Sequence, residues 1–315
     1  MAGIGFELRK LLRQDDLLGI VRGYGHSALT VTGPWLLTIL MLGGIVFLGS
    51  PYAAPRVLAE FRLIVIYNFA FSLVIAGPVV MVATRYLADA IFIKRVEDAP
   101  SMLLGYLTLL LAVSAPIVVP FYFYWIDIDN TLAMISAINF FTIAAIWMVS
   151  TFLTALKDYA AVTRAFLLGS VLALGSVALL ARVASSTAMM FGFTAGLALI
   201  LFLLVARVYA EYPYPVVSPF RFGGYFRRYW ELALTGFVYN AAIWVDKWVM
   251  WFAPEGDVQR SGLISYPDYD SAMFLAYLTI VPSIAAFVLS IETDFYESYV
   301  RFYKRLHHHA SFAEI

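Results

Sequence analysis

The chain has 315 residues, of which 62% are hydrophobic and 13% charged, with a formal net charge of zero and no cysteine. A soluble domain carries roughly a quarter charged residues, so this balance, with a mean hydropathy of +0.83, excludes an ordinary water-soluble fold. No basic field or Lys/Arg tract points to nucleic acid, and without cysteine there is no disulfide, thiol catalysis or thiolate metal site.

Residues 1–26 place Ile4, Phe6, Leu8, Leu11, Leu12, Leu17 and Leu18 at roughly helical spacing beside Arg9, Lys10 and Arg13. That predicts an amphipathic helix on the inner leaflet. It is acidic as well as basic and has no continuous apolar core, so it does not read as a signal peptide. Eight windows then reach the ~20 mostly apolar residues that a membrane span needs: about 27–48, 63–87, 102–124, 132–156, 162–181, 188–209, 231–252 and 271–291. The predicted fold is an all-α polytopic helical bundle of about eight spans. The first six form one lobe over 27–210. A proline-rich, basic cytoplasmic linker over 211–229 carries Pro213, Pro215 and Pro219 with Arg221, Arg227 and Arg228, and the first two helices of a second lobe fill 230–292. The tail, 293–315, sets Phe295, Tyr296, Tyr299, Phe302 and Tyr303 beside Arg301, Lys304 and Arg305, a second interfacial segment that anchors to lipid or docks a partner.

Of the 21 lysines and arginines, sixteen fall on one side of this zigzag, four (Arg56, Arg62, Arg182, Arg260) on the other, and Lys247 lies within a span. Positive charge collects in cytoplasmic loops, so both termini are expected in the cytoplasm. An echo of Ala28-Leu29-Thr30 at Ala233-Leu234-Thr235 fits a second lobe that begins at the seventh span.

Asp246 and Lys247 are the strongest functional candidates, because ionisable residues inside a span are costly and face protein or water. On a helical wheel Thr235, Tyr239 and Asp246 share a stripe, with Trp244, Trp248 and Trp251 nearly opposite. The polar stripe then looks inward, towards a cation or sugar in a central cavity, and the tryptophans look to lipid or the outer interface. Alternatively Lys247 snorkels to that interface. Asn240 lies on the Lys247 side of the same span. Glu60 and Arg62 flank the outer end of the second span and Arg85 its inner end, where a boundary arginine is the simpler reading. Asn68 and Ser72, one turn apart, form a polar patch, while Asn139 reads as a helix-to-helix tie. Gly192 and Gly196 mark close helix packing. Pro34 and Pro78, each after a glycine, predict kinks. Arg221, Arg227 and Arg228 are candidates for docking a partner. No phosphate-binding loop, nucleophile elbow or zinc-hydrolase motif is present. No enzymatic activity, cofactor or metal is expected, and His307, His308 and His309 read as a solvated tail.

The opening Met1-Ala2-Gly3-Ile4-Gly5-Phe6-Glu7-Leu8-Arg9-Lys10 closely resembles the start of the PelG family. So do Gly23-Tyr24-Gly25 leading into Thr32-Gly33-Pro34-Trp35, and the run Ser290-Ile291-Glu292-Thr293-Asp294-Phe295-Tyr296. The resemblance covers essentially the whole chain. It implies a bacterial inner-membrane component of Pel exopolysaccharide export for the biofilm matrix, similar in architecture to flippases of the MOP superfamily. It also implies an amino-sugar-rich polysaccharide as substrate, and assembly with PelD, PelE and the glycosyltransferase PelF. Members of the family resemble twelve-span proteins of two six-span lobes. Eight spans therefore predict a copy cut short, which would make this chain an inactive fragment of the transporter. A scaffold that docks a cytosolic glycosyltransferase is the alternative to export.

Overall fold

The computed structural model describes residues 41, 43–45, 47–93, 96–156, 159–291 and 295–308. The amphipathic N-terminal segment, most of the first expected span, Pro34, Lys94, Arg95 and His309 lie outside them. The fold is an all-α membrane-type helical bundle, as the composition predicts. From residue 55 onward the helices among the described residues are α1 (Pro55–Phe92), α2 (Ala99–Pro120), α3 (Asn130–Leu156), α4 (Tyr159–Leu180), α5 (Ser186–Glu211), α6 (Gly223–Arg228), α7 (Trp230–Trp251), α8 (Pro267–Ser290) and α9 (Tyr296–His307).

Among the described residues five helical stretches are long and apolar enough to cross a membrane: Pro55–Phe92, Ala99–Trp125, Asn130–Leu153, Ala161–Val183 and Ser186–Glu211. The seventh expected span is the 22-residue α7. At 1.5 Å per residue it is about 33 Å long, enough for a bilayer core, but Asn240, Asp246 and Lys247 dilute its apolar character. The described residues thus support five spans of the eight expected.

The chain divides into two compact units. In the unit that covers 37–272, α1 is the central element. It buries Phe61, Leu63, Ile64, Val65, Ala70, Val82 and Ala83 almost completely against its neighbours. Residues buried all round a helix mark a core position rather than a lipid-facing one. Pro78 stands inside α1 without ending it, since neighbouring helices hold the backbone that a proline frees. After Pro116 and Pro120, α2 widens into a π-turn over Phe121–Trp125, the kind of local adjustment that follows missing backbone donors.

Helix ends are set by local chemistry. Ahead of α3, the Thr131 backbone N–H donates to Asp129 Oδ2 at 2.9 Å, and this bond holds the Asp129 carboxyl below the usual carboxylate range. Ser185 caps α5 by accepting from the Ala188 N–H at 3.4 Å. α4 and α5 pack through small residues. A Cβ on Gly196 would lie 2.5 Å from Ala173 Cβ and 2.6 Å from the Gly169 carbonyl oxygen, and one on Gly192 would lie 3.0 Å from Ser176 Cβ. The glycine pair expected to mark close packing does so.

The linker is not a free tether. Val217 N–H donates to Ser101 Oγ at 2.9 Å, Phe222 stacks on Tyr106 at 4.6 Å, and Tyr225 meets Tyr86 edge-on at 5.0 Å. Aromatic side chains bury large areas each, so these contacts pin 217–226 to α1 and α2. Between α7 and α8 the chain forms a hairpin, β1 (Asp257–Val258) antiparallel to β2 (Ile264–Ser265), closed by Gly262 at φ +83°.

The other unit holds the remainder of α8 and α9. On α9, Phe295, Tyr299, Phe302, Tyr303 and Leu306 share one helical face and Arg301, Lys304 and Arg305 the opposite one, with Tyr299 and Tyr303 rings 4.5 Å apart. This is the amphipathic helix expected after the last span.

Candidate functional site

Two polar centres lie within the apolar interior of the 37–272 unit. The first joins four elements through Asn68 of α1, which is fully buried. Its Nδ2 donates to Asn139 Oδ1 at 2.9 Å and to the Ser136 carbonyl at 3.0 Å, while its Oδ1 accepts from the Tyr122 hydroxyl at 2.5 Å. Asn139 Nδ2 passes the chain on to Thr194 Oγ1 at 3.0 Å, and Thr194 returns its proton to the Met190 carbonyl at 2.7 Å. Trp147 Nε1 donates to Ser72 Oγ at 3.4 Å. α1, the π-turn after α2, α3 and α5 are thus tied by side-chain amides and hydroxyls, as polar residues tie helices in lipid. Asn68 spends both amide protons and one lone pair of its oxygen on neighbours.

The second centre forms where α7, the hairpin and the start of α8 meet α1. Lys247 is 8% exposed. Its Nζ lies 5.4 Å from the centre of the Trp244 ring, and it interacts electrostatically with Asp270 and Asp246. Asp246 Oδ2 accepts from the Tyr269 hydroxyl at 3.0 Å, whereas its Oδ1 is buried with no hydrogen-bond partner. Asp270 receives the Trp251 indole N–H, 3.4 Å from each carboxylate oxygen, and also feels Arg62. Trp251 lies flat on Tyr67 at 4.8 Å, and Trp248 flat on Phe71 at 5.3 Å. The Tyr67 hydroxyl closes the floor: it donates to the Ile264 carbonyl at 2.9 Å and accepts from the Ile264 N–H at 3.1 Å.

For two of the tryptophans and for the hydroxyls the faces of α7 are the reverse of the expectation, whereas Asp246 keeps a buried Oδ1. Trp248 and Trp251 turn inward onto α1, while Thr235 and Tyr239 are exposed. Large aromatic rings gain more from burial than a hydroxyl does; Lys247 is carried inward beside them, while Asp246, on the opposite stripe, is covered by Tyr269. The helices can approach because Gly77 faces Gly236. A Cβ on Gly236 would sit 2.5 Å from the Gly77 carbonyl oxygen, and one on Gly77 would sit 2.6 Å from the Gly236 carbonyl oxygen. Asn240 borders this crossing and donates to the Gly236 carbonyl of its own helix at 2.7 Å. Thr235 likewise donates to the Glu231 carbonyl at 2.8 Å.

The remaining candidates stand apart from this centre. Glu60 accepts from Ser186 Oγ at 2.5 Å and joins the starts of α1 and α5. At the far end of α1, Arg85 pairs with Asp89 at 3.0 Å and lies over the Tyr229 ring at 5.6 Å. Arg221 reaches Asp98 at 3.6 Å beside a cleft of about 190 Å³, lined also by Tyr86, Met102 and Tyr225. Arg228 lies over Tyr229 at 5.4 Å, and Arg227 and Arg228 are exposed.

Sequence reasoning missed Asp270, Tyr269, Tyr67, Tyr122 and Thr194. Asp270 immediately precedes the expected eighth span and passes for a boundary charge. The tyrosines look like ordinary interfacial residues until the fold brings their hydroxyls to distant partners. Removing the hydroxyl with Tyr67→Phe takes away both bonds to Ile264, each worth about 1 kcal/mol. Hydrogen exchange of the hairpin amides at 258–264 is expected to speed up roughly thirtyfold with the helices unchanged; unaltered exchange would show that the hairpin is held elsewhere.

No curated protein and no solved structure matches the chain. One protein-family model, described as "PelG: Putative exopolysaccharide Exporter (EPS-E)", matches residues 1–315. A membrane-type bundle with ionisable and amide groups in its interior, matched over its whole length, places this chain in the PelG family of exopolysaccharide exporters.

Proposed function

We propose that the chain carries a Pel-type exopolysaccharide across the bacterial inner membrane for the biofilm matrix, by alternating access between helices before and after the 211–229 linker. The observation that carries this reading is the α1–α7 contact. Bare backbone meets at Gly77 and Gly236, flanked by flat ring stacks at Phe71–Trp248 and Tyr67–Trp251. Such a seam has few interlocking side chains and suits the sliding or tilting of packed helices. The bundle is a transporter rather than an enzyme on this reading, with both termini cytoplasmic. Arg85, Arg221 and Arg228 gather around Asp98 and Tyr229 at one end, in keeping with a positive cytoplasmic face.

The native chain has no cysteine, so paired thiols test the motion cleanly. In a cell making the polymer, Phe71→Cys with Trp248→Cys, bridged by a short bismaleimide, is expected to stop export, while either single variant treated alike continues. Undiminished export by the bridged protein would refute alternating access at this seam.

A second reading is a docking platform. Arg227 and Arg228 are exposed on a segment whose neighbours are pinned by Tyr106 and Tyr86, which suits a surface for PelD, PelE or PelF. Replacing both by alanine should then release the partner and leave the bridged-thiol result unchanged.

A further inference from the structure

Three ionisable groups from two helices share the buried centre: Asp246 and Lys247 of α7 and Asp270 of α8. With all three ionised the set itself carries one unit of negative charge in excess, which the exposed Arg62 opposes from outside, and charge held away from water is costly. Among the described residues, the other titratable or charged groups that face it include Tyr269 beside Asp246, and Tyr67 and Arg62 of α1 near Asp270. We propose that Asp270 is the proton-binding site that couples export to a proton gradient, with Lys247 and Asp246 completing it.

The geometry supplies two states. With Asp270 ionised, Lys247 answers to carboxylates on both helices, and the Trp251 N–H steadies both Asp270 oxygens. One proton taken from water onto an Asp270 oxygen makes the set neutral and removes its hold on Lys247. Asp246 Oδ1, buried and without a hydrogen-bond partner, is then the acceptor open to the ammonium. Because Asp246 and Lys247 belong to the same helix, this move transfers a tie between α7 and α8 into one within α7. Loss of the proton to the other aqueous side restores the first state, and no bond in the polymer changes. A two-state element biased by a single charge is what coupling requires. Asp268 shares the start of α8 but is exposed, so it feels the same helix end without the burial and serves as the control.

This inference rests on the export reading, and its test separates the two. Infrared spectra of the whole chain in lipid vesicles, taken above the pH at which exposed carboxyls are ionised, should show a residual protonated-carboxyl band that titrates. The band should vanish in Asp270→Asn and persist in Asp268→Asn. Lys247→Met, which removes a cation acting on Asp270, should move its midpoint to higher pH by about one unit or more. Asp270→Glu keeps a titrating group if the amide variant does not fold. A band absent from the native chain, or retained in Asp270→Asn, overturns the assignment. So does tryptophan emission that responds to sodium at fixed pH and not to protons, which would make the site a sodium site. In cells Asp270→Asn should lower export at least tenfold, with Asp268→Asn near the native level. Native export by Asp270→Asn refutes coupling even where the band behaves. Normal export by the bridged Phe71–Trp248 pair refutes alternating access without touching the proton site.

Discussion

Gly236→Leu is expected to abolish export while the chain still inserts in the membrane, and Gly77→Leu to act likewise. The reason is geometric. The first carbon added at Gly236 already falls 2.5 Å from the Gly77 carbonyl oxygen, 2.8 Å from its carbonyl carbon and 2.8 Å from Met81 Cγ. Met81 is flexible and can yield; the α1 backbone cannot. Even alanine must part the helices, and leucine must part them further or turn α7 about its axis. Overpacking of this kind typically costs about 1–3 kcal/mol, and turning α7 also breaks the Tyr67–Trp251 and Phe71–Trp248 stacks. Gly236→Ala should therefore lower export by about tenfold, since each 1.4 kcal/mol is a factor of ten, and the leucine variants should lower it below detection. Matched amounts of membrane-embedded protein, assayed for exported polymer, decide the matter. Export at native level by Gly236→Leu would mean that the α1–α7 seam is not part of the transport cycle.

Much of this fold is legible in the sequence because membrane helices announce themselves by length and composition. The windows at 63–87, 102–124, 132–156, 162–181 and 188–209 all fall on helices, while the stretch at 211–229 read as a linker holds the last residue of α5 and the short helix α6. What periodicity leaves out is depth. α1 extends over 38 residues, about 57 Å at 1.5 Å per residue, because beyond the apolar window its ends bury Leu58, Phe61 and Ala90 in protein rather than lipid. A wheel drawn on α7 separates a polar stripe from a tryptophan stripe correctly. It misplaces Trp248, Trp251, Thr235 and Tyr239, because the wheel holds no information about a neighbour such as Phe71 or Tyr67. Asp270 is hidden for a related reason. Its importance comes from a lysine 23 positions earlier, which only the return of the chain through the hairpin brings near.

Asn68 and Asn139 should prove strongly coupled, and the coupling separates a helix-tying role from a ligand-binding one. Asn68→Leu leaves the Tyr122 hydroxyl, Asn139 Oδ1 and the Ser136 carbonyl without their partner. In membranes such bonds are worth about 0.6 kcal/mol on average and up to roughly 1.7, so the single variant is expected to cost about 2–4 kcal/mol. Asn139→Leu leaves Asn68 Nδ2 one acceptor short and deprives Thr194 Oγ1 of its donor, at a cost of about 1–3 kcal/mol. In the double variant the 2.9 Å amide–amide bond has lost both ends, and two apolar side chains meet where an orphaned amide would otherwise stand. Removing both partners is much cheaper than removing one. The double variant should therefore fall short of the summed single costs by about 1 kcal/mol or more, read from unfolding of the purified protein in detergent. Asn68 as a polymer contact predicts something else: additive stability effects, and export lost in Asn68→Leu well beyond what its lowered stability explains. The buried network favours coupling, because both side-chain atoms of Asn68 already have protein partners, and a transported sugar would have to displace Tyr122 or Asn139 to reach either of them.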